Sequence, residues 1–239
     1  MIELKPKDRI IVAVDVGNAE TCKELVSKLY PKIKMFKVGS QLFTAAGQEA
    51  VNSIKRRGAG CFLDLKFHDI PATVESAARS ATKLGVDIFD VHASGGLEMM
   101  KSAVKATGET ARKLNVKRPL ILGITVLTSM NKDDLEALGI KRKTEDQVLS
   151  LAEFAKKAGL DGVVASPREI VLIKKNLGND FLVVTPGIRP EWADKADQKR
   201  VMTPKEALER GADYIVIGRP ITRARDPREA VERIIGDIG

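Results

Sequence analysis

Asp64-Leu65-Lys66-Phe67-His68-Asp69-Ile70-Pro71 places a lysine between two aspartates at the end of the apolar run Gly60-Cys61-Phe62-Leu63. Side chains alternate along a strand, so Asp64 and Lys66 project from one face and Leu65 from the other. Asp69 follows just beyond, within reach of the ammonium or of a neighbouring subunit. Burying such an ion cluster is costly. The arrangement suits chemistry in which a fixed positive charge meets a negative charge that develops during reaction.

Those residues need elements to hold them. Apolar, β-branched strand candidates run Ile10 to Val14, Met35 to Val38, Cys61 to Leu65, Ile88 to Val91, Leu120 to Val126, Gly162 to Ala165, Leu182 to Val184 and Tyr214 to Ile217. Helical periodicity fills the gaps, as in Glu20 to Leu29, Val74 to Leu84 and Val148 to Ala158. Strands alternating with helices imply a parallel sheet, and eight of them imply an α/β fold closed as a (β/α)8 TIM barrel. No Gly/Ser-rich or Pro-rich linker interrupts the sequence, so residues 1–239 are expected to form a single catalytic domain.

Helix starts support this register. Ser166-Pro167-Arg168-Glu169, Thr203-Pro204-Lys205-Glu206 and Asp226-Pro227-Arg228-Glu229 each offer a cap, a proline at the first helical position and a glutamate to complete a capping box. Thr144-Glu145-Asp146-Gln147 is a weaker instance. These are signals of structure, not of catalysis.

In such a barrel the chemistry sits at the carboxyl ends of the strands, often with a phosphate after strands seven and eight. Asp15 ends strand one, Lys37 lies on strand two, and strand five runs into Leu127-Thr128-Ser129. Strand seven ends in Thr185-Pro186-Gly187-Ile188-Arg189-Pro190 and strand eight in Gly218-Arg219-Pro220. Gly218 lets a backbone amide approach an anion, Arg219 supplies a charged fork, and the short helix after them presents its amino end. The stretch from Gly187 to Met202 is too long for an ordinary connection and implies a mobile lid, in which Gln198 would touch the ligand on closure.

The net charge of +8 is spread among acidic residues, as in Lys132-Asp133-Asp134, and only 4% of residues are aromatic. Base stacking on single strands has little to work with, so nucleic acid is not an expected partner, whereas a small polyanion would be attracted. No apolar run is long enough to span a bilayer, Met1-Ile2-Glu3-Leu4-Lys5 is not a signal-peptide pattern, and Cys22 and Cys61 are far apart. A reduced, cytoplasmic setting is expected. With two histidines, His68 and His92, an imidazole-based metal site is not expected, and packing is the simpler role for both.

Taken in order, Ala13-Val14-Asp15, Phe36-Lys37-Val38-Gly39, the Asp64 to Pro71 motif, Val91-His92, Thr125 to Ser129, Thr185 to Pro190 and Ile217 to Thr222 resemble the orotidine 5′-phosphate decarboxylase family in its compact bacterial form. The resemblance implies decarboxylation of orotidine 5′-phosphate to uridine 5′-phosphate in pyrimidine synthesis, with no cofactor and no metal, by a homodimer with shared active sites. Under it Lys66 is the proton donor, Asp64 is its partner, and Lys37 completes the charged row. Asp69 and Thr73 would be contributed across the dimer interface. Asp15 and Lys37 would hold ribose hydroxyls and Thr128 the pyrimidine. Arg189, Gln198, Gly218 and Arg219 would hold the phosphate and its neighbourhood.

Magnesium-dependent sugar-phosphate decarboxylases, aldolases and epimerases share the Asp-x-Lys-x-x-Asp arrangement. His68-Asp69-Ile70-Pro71 and Leu127-Thr128-Ser129 favour the pyrimidine enzyme, and Lys37 makes a divalent cation less welcome. A non-catalytic nucleotide or nucleic-acid binder would leave the complete charged row without a use.

Overall fold

The computed structural model describes residues 5–193 and 202–239. Ile10–Ala13 (β1), Met35–Gly39 (β2), Gly60–Phe67 (β3), Ile88–His92 (β4), Leu120–Ile124 (β5), Gly162–Val164 (β6), Leu182–Thr185 (β7) and Tyr214–Ile217 (β8) pair in parallel. Each pairs with its neighbour in sequence, and β8 returns to β1 to close a TIM barrel. Ala19–Leu29 (α1) follows β1, Ser40–Ala46 (α2) and Gln48–Lys55 (α3) follow β2, and Pro71–Lys83 (α4) follows β3. Leu97–Leu114 (α5) follows β4, Lys132–Ala137 (α6) and Thr144–Ala158 (α7) follow β5, and Ile170–Leu177 (α8) follows β6. Pro204–Glu209 (α9) follows β7, while Arg219–Thr222 (α10) and Pro227–Ile238 (α11) follow β8. No described helix is long and apolar enough to cross a membrane.

Every predicted strand is present, with ends that move by one or two residues. The consequential shift is in β3, which continues through Phe67 and so includes Lys66. Strand alternation divides the apolar residues between two cores. Ile11, Ala13, Phe62, Ile88, Leu122, Val184 and Val216 fill the barrel interior. Their neighbours, such as Ile10, Val12, Leu63 and Phe89, pack outward against the helices.

The Thr203 capping box forms as expected, and Asp226 caps its helix without closing the box. The Thr203 hydroxyl accepts the Glu206 N–H at 3.2 Å while the Glu206 carboxylate accepts the Thr203 N–H at 3.0 Å. The Asp226 carboxylate accepts the Arg228 N–H at 2.9 Å. The other two differ. The Ser166 hydroxyl accepts the Arg168 N–H at 3.3 Å within a turn, Glu169 is buried, and α8 begins only at Ile170. Thr144 is already the first residue of α7, after Lys143, which has no side-chain acceptor to offer.

The amino-terminal rim of the barrel carries a threefold device. Gly85-Val86-Asp87, Gly159-Leu160-Asp161 and Gly211-Ala212-Asp213 lead into β4, β6 and β8. Each glycine has positive φ, +71°, +87° and +98°, a turn that a side chain would strain. Each aspartate then bridges to the strand before it. The Asp87, Asp161 and Asp213 carboxylates accept the N–H of Cys61 (2.8 Å), Ile121 (2.8 Å) and Val183 (2.7 Å). Their own N–H groups donate to the carbonyls of those same three residues. Lys55, Arg118 and Lys174 pair with the carboxylates from outside. This rim fixes barrel register at the end opposite the chemistry.

Candidate active site

The active-site end of β3 is irregular. Leu63 pairs with Phe89 of β4 and Phe67 with Val91, so Asp64, Leu65 and Lys66 stand where β4 has only Asp90. Such a bulge re-aims side chains and leaves backbone groups outside the ladder. Lys66 takes up the excess with φ +53°, a left-handed conformation that is uncommon away from glycine. Its N–H leaves the ladder and donates to Asp90 Oδ1 at 2.8 Å. Asp64 and Lys66 both reach the barrel mouth.

There they join a row of charges. Lys37 Nζ lies 2.9 Å from Asp64 Oδ2 and 3.6 Å from Asp15 Oδ1. The Lys66 ammonium pairs directly with the other Asp64 oxygen. Burial disfavours the charged form of Lys37, but Asp64 and then Asp15 outweigh it and hold the ammonium above its ordinary range. Burial would likewise raise Asp64, yet Lys37, a hydrogen bond from Asp90 and Lys66 together hold it well below the usual carboxylate range. Asp90 is fully buried, and that burial, followed by the Asp64 charge, pushes its carboxyl well above the ordinary value. The two adjoining carboxyls are thus pushed in opposite directions, Asp64 toward its ionised form and Asp90 toward its protonated form.

A cavity of about 220 Å³ opens above this row. Lys37, Asp64, Lys66 and Asp90 form its polar wall, Phe62, Ile124, Val164 and Val216 give apolar surface, and Val126, Thr128 and Ser129 come from the β5 end. An apolar slot with a few fixed polar groups at one edge is the usual form of a site for a flat heterocycle. Thr128 and Ser129 both line it, so geometry does not choose between them. His68 and His92 sit beside it with ring centroids 5.1 Å apart. Burial, then His68 and Lys66, lower the pKa of His92. That shift favours the neutral form of the His92 ring.

The remaining predicted residues distribute around the rim. Asp15 is exposed at the end of β1. Arg189 is buried, and its N–H donates to the Met202 carbonyl at 3.0 Å, tying the β7 exit to the approach to α9. Gly218 caps α10 and Arg219 is its first residue. The amino end of α10 offers an anion less than the sequence implies. Pro220 has no N–H, and those of Ile221 and Thr222 donate to the Gly218 carbonyl at 2.9 and 3.0 Å. Asp69 and Thr73 are exposed, and the Asp69 carboxylate accepts the N–H of Ile70 at 2.6 Å. Among the described residues no ion pair joins Asp69 to Lys66. Gln198, with 194–201 of the expected lid, lies outside the described residues.

Two residues of the site were not singled out from sequence. A Cβ at Gly39 would lie 3.0 Å from Lys37 Nζ and 3.2 Å from Asp15 Oδ1, so glycine there gives the ion pair room. Asp90 was hidden within an apolar strand, and its signal is period two: it shares the inward face with Ile88.

Comparison with known proteins bears on the same residues. The model of the orotidine 5′-phosphate decarboxylase / HUMPS family matches residues 8–234. An orotidine 5′-phosphate decarboxylase of Moorella thermoacetica is 52% identical over all of this chain and 95% of its own. That of Syntrophomonas wolfei is 49% identical over 98% of this chain and 99% of its own. The crystal structure of the enzyme from Lactobacillus acidophilus superposes with a TM-score of 0.85 at 40% identity, covering 97% of this chain and 99% of that one. An uncharacterised conserved protein of Geobacillus kaustophilus superposes with a TM-score of 0.84 at 35% identity, over 96% and 100%. With the barrel, the lysine-aspartate row and a match along nearly the whole length in agreement, the chain belongs to the orotidine 5′-phosphate decarboxylase / HUMPS family.

Proposed function

We propose that Lys66 stabilises and then protonates the ring carbanion formed when this decarboxylase converts orotidine 5′-phosphate to uridine 5′-phosphate in pyrimidine synthesis. The observation that carries this reading is the Lys66 ammonium held by Asp64 at the edge of a cavity sized for a pyrimidine. Breaking the carbon–carbon bond releases carbon dioxide and leaves the electron pair on a vinylic ring carbon, with no neighbouring carbonyl to delocalise it. A preorganised cation beside that carbon lowers the barrier electrostatically. The ammonium then gives its proton to the carbon, and the amine regains one from water, to which the Lys66 side chain is 34% exposed.

The other residues take supporting roles. Lys37 and Asp15 hold the ribose hydroxyls, Thr128 contacts the pyrimidine, and Arg189, Gln198, Gly218 and Arg219 hold the phosphate. Binding energy at that remote phosphate is available to close the site and lower the barrier at the ring. Asp69 and Thr73 act from the second subunit of a homodimer. Ile70 supports this, because it stands between them 66% exposed, an apolar side chain that an interface would cover.

The magnesium-dependent sugar-phosphate reading is disfavoured by Lys37, whose ammonium already occupies one oxygen of Asp64 where a cation would bind. The test is the ultraviolet absorbance of orotidine 5′-phosphate mixed with the protein, with and without chelator. Chelator-resistant loss of the orotate band, with uridine 5′-phosphate as product, is expected. Loss only with magnesium, or none from folded protein, would overturn the reading. In the same assay Lys66→Ala should lower kcat by at least ~10² to 10⁴, and a near-normal rate would remove Lys66 from its role.

A further inference from the structure

Asp90 is the one charged-type side chain on β4 that points into the barrel core with no solvent exposure at all. It stands opposite the β3 bulge, where three residues face one. Its Oδ1 accepts the N–H of Lys66 at 2.8 Å, and that N–H belongs to the residue whose backbone is left-handed. Its Oδ2 is buried with no donor to satisfy it. A fully buried acceptor without a donor is costly, whereas the same oxygen carrying a proton becomes a donor and needs an acceptor. Asp64, the carboxylate that pairs with both lysines, is the acceptor beside it. Charge points the same way. Lys37 and Lys66 already face the carboxylates of Asp64 and Asp15, and an ionised Asp90 would add a further negative charge beside the place where the carbanion forms.

We propose that Asp90 is a positioning residue for the reaction, a neutral carboxylic acid that clamps the bulge by accepting the Lys66 amide and donating its proton to Asp64. One side chain thus fixes the backbone of the proton donor and the orientation of the donor's partner. The geometry explains how Lys66 is kept in a strained conformation: nothing in the β ladder holds its amide, and Asp90 replaces the missing strand partner. Strain of this kind persists only where surrounding structure over-determines it. Asp90 does not touch the reacting carbon and acts through Lys66 and Asp64.

The inference rests on Lys66 as the proton donor, and its test separates the two. Asp90→Asn keeps an oxygen for the Lys66 N–H and an NH₂ to donate to Asp64, while Asp90→Val keeps neither. Asp90→Val should lower kcat on the order of 10²-fold, as expected for a displaced catalytic group, with a smaller change in KM. Asp90→Asn should recover at least about tenfold of that loss, because the clamp needs hydrogen bonds and not charge. Equal losses in both variants would overturn the neutral-acid clamp, and a normal kcat in Asp90→Val would overturn the positioning role. Difference infrared spectroscopy at neutral pH gives a readout independent of activity and of how well the valine variant folds. A protonated-carboxyl C=O stretch present in the unaltered chain and missing in Asp90→Asn is expected. No such band would overturn the proposal. If Lys66→Ala were active but the band present, the clamp would stand and the assignment of the acid would fall.

Discussion

Lys66 stands in a backbone conformation that side chains avoid, and its neighbours are arranged to tolerate this. The same neighbours shift two adjoining carboxyls in opposite directions, which gives a signed consequence. Asp90 faces Asp64 and Lys66 from β3 and Lys37 from β2. Its folded pKa is raised above the ordinary 3.8, by burial first and Asp64 second, so the folded chain holds a proton that the unfolded chain releases. Stability is then lost as pH rises through the interval between those two values. Asp64 runs the other way: its depressed pKa contributes stability above the ordinary 3.8 that disappears only in stronger acid. Urea unfolding of Asp90→Asn should therefore show the variant gaining on the original chain as pH rises from about 4 toward about 7. A gap that stays constant with pH would mean Asp90 is ionised in the fold. At the phosphate end, Arg219→Ala should weaken binding of phosphorylated ligand by roughly 10- to 100-fold, the loss of a charge-assisted hydrogen bond. Phosphate-free orotidine should bind as before, and an equal loss for both ligands would move the grip elsewhere.

At the scale of elements, the barrel divides its work between two rims. The carboxyl ends carry the bulge, the lysines and the cavity, and the amino ends carry the Gly-x-Asp bridges. Asp161 shows what a bridge contributes. Its carboxylate satisfies the Ile121 N–H at 2.8 Å and pairs with Arg118, so removal leaves a strand amide without its acceptor. Asp161→Ala should lower unfolding free energy by about 1–3 kcal/mol while kcat stays unchanged, measured by urea titration and steady-state kinetics on the same sample. A matching fall in kcat would show that the two rims are coupled. These bridges were legible in principle, as Gly85-Val86-Asp87, Gly159-Leu160-Asp161 and Gly211-Ala212-Asp213 repeat before β4, β6 and β8. What the residues alone do not reveal is that each aspartate reaches the strand before its own. The helix caps divide in the same way. Thr203 and Asp226 read correctly because a cap is a local bond, whereas Ser166 lost its helix start to a turn that buries Glu169.

For the whole molecule, the shared site proposed for a homodimer makes a quantitative prediction. Asp69 and Thr73 face outward beside the exposed Ile70, and the Asp69 carboxylate bonds locally to the Ile70 N–H. If the site is shared, Lys66→Ala and Asp69→Ala chains should each be nearly inactive alone. Mixed and re-equilibrated, they should recover about a quarter of full activity, because half of the dimers are mixed and each holds one intact site. Absence of any recovery would place both residues in one chain.

The sequence by itself determined the eight-strand alternation, the inward pair of Asp64 and Lys66, and the polar strand ends at Asp15, Lys37, Thr128, Arg189 and Arg219. Each follows from period, turn chemistry or motif order, which are properties of neighbouring residues. Only the tertiary structure decided that β3 bulges against β4, that Lys66 is left-handed, that Asp90 lies fully buried beneath the charged row, and that Gly39 leaves room for the Lys37–Asp15 pair. The physical reason is that a carboxyl's protonation and a bulge's position depend on which strands close beside it. That pairing brings together residues 24 apart, as in Lys66 and Asp90, and no local pattern records it.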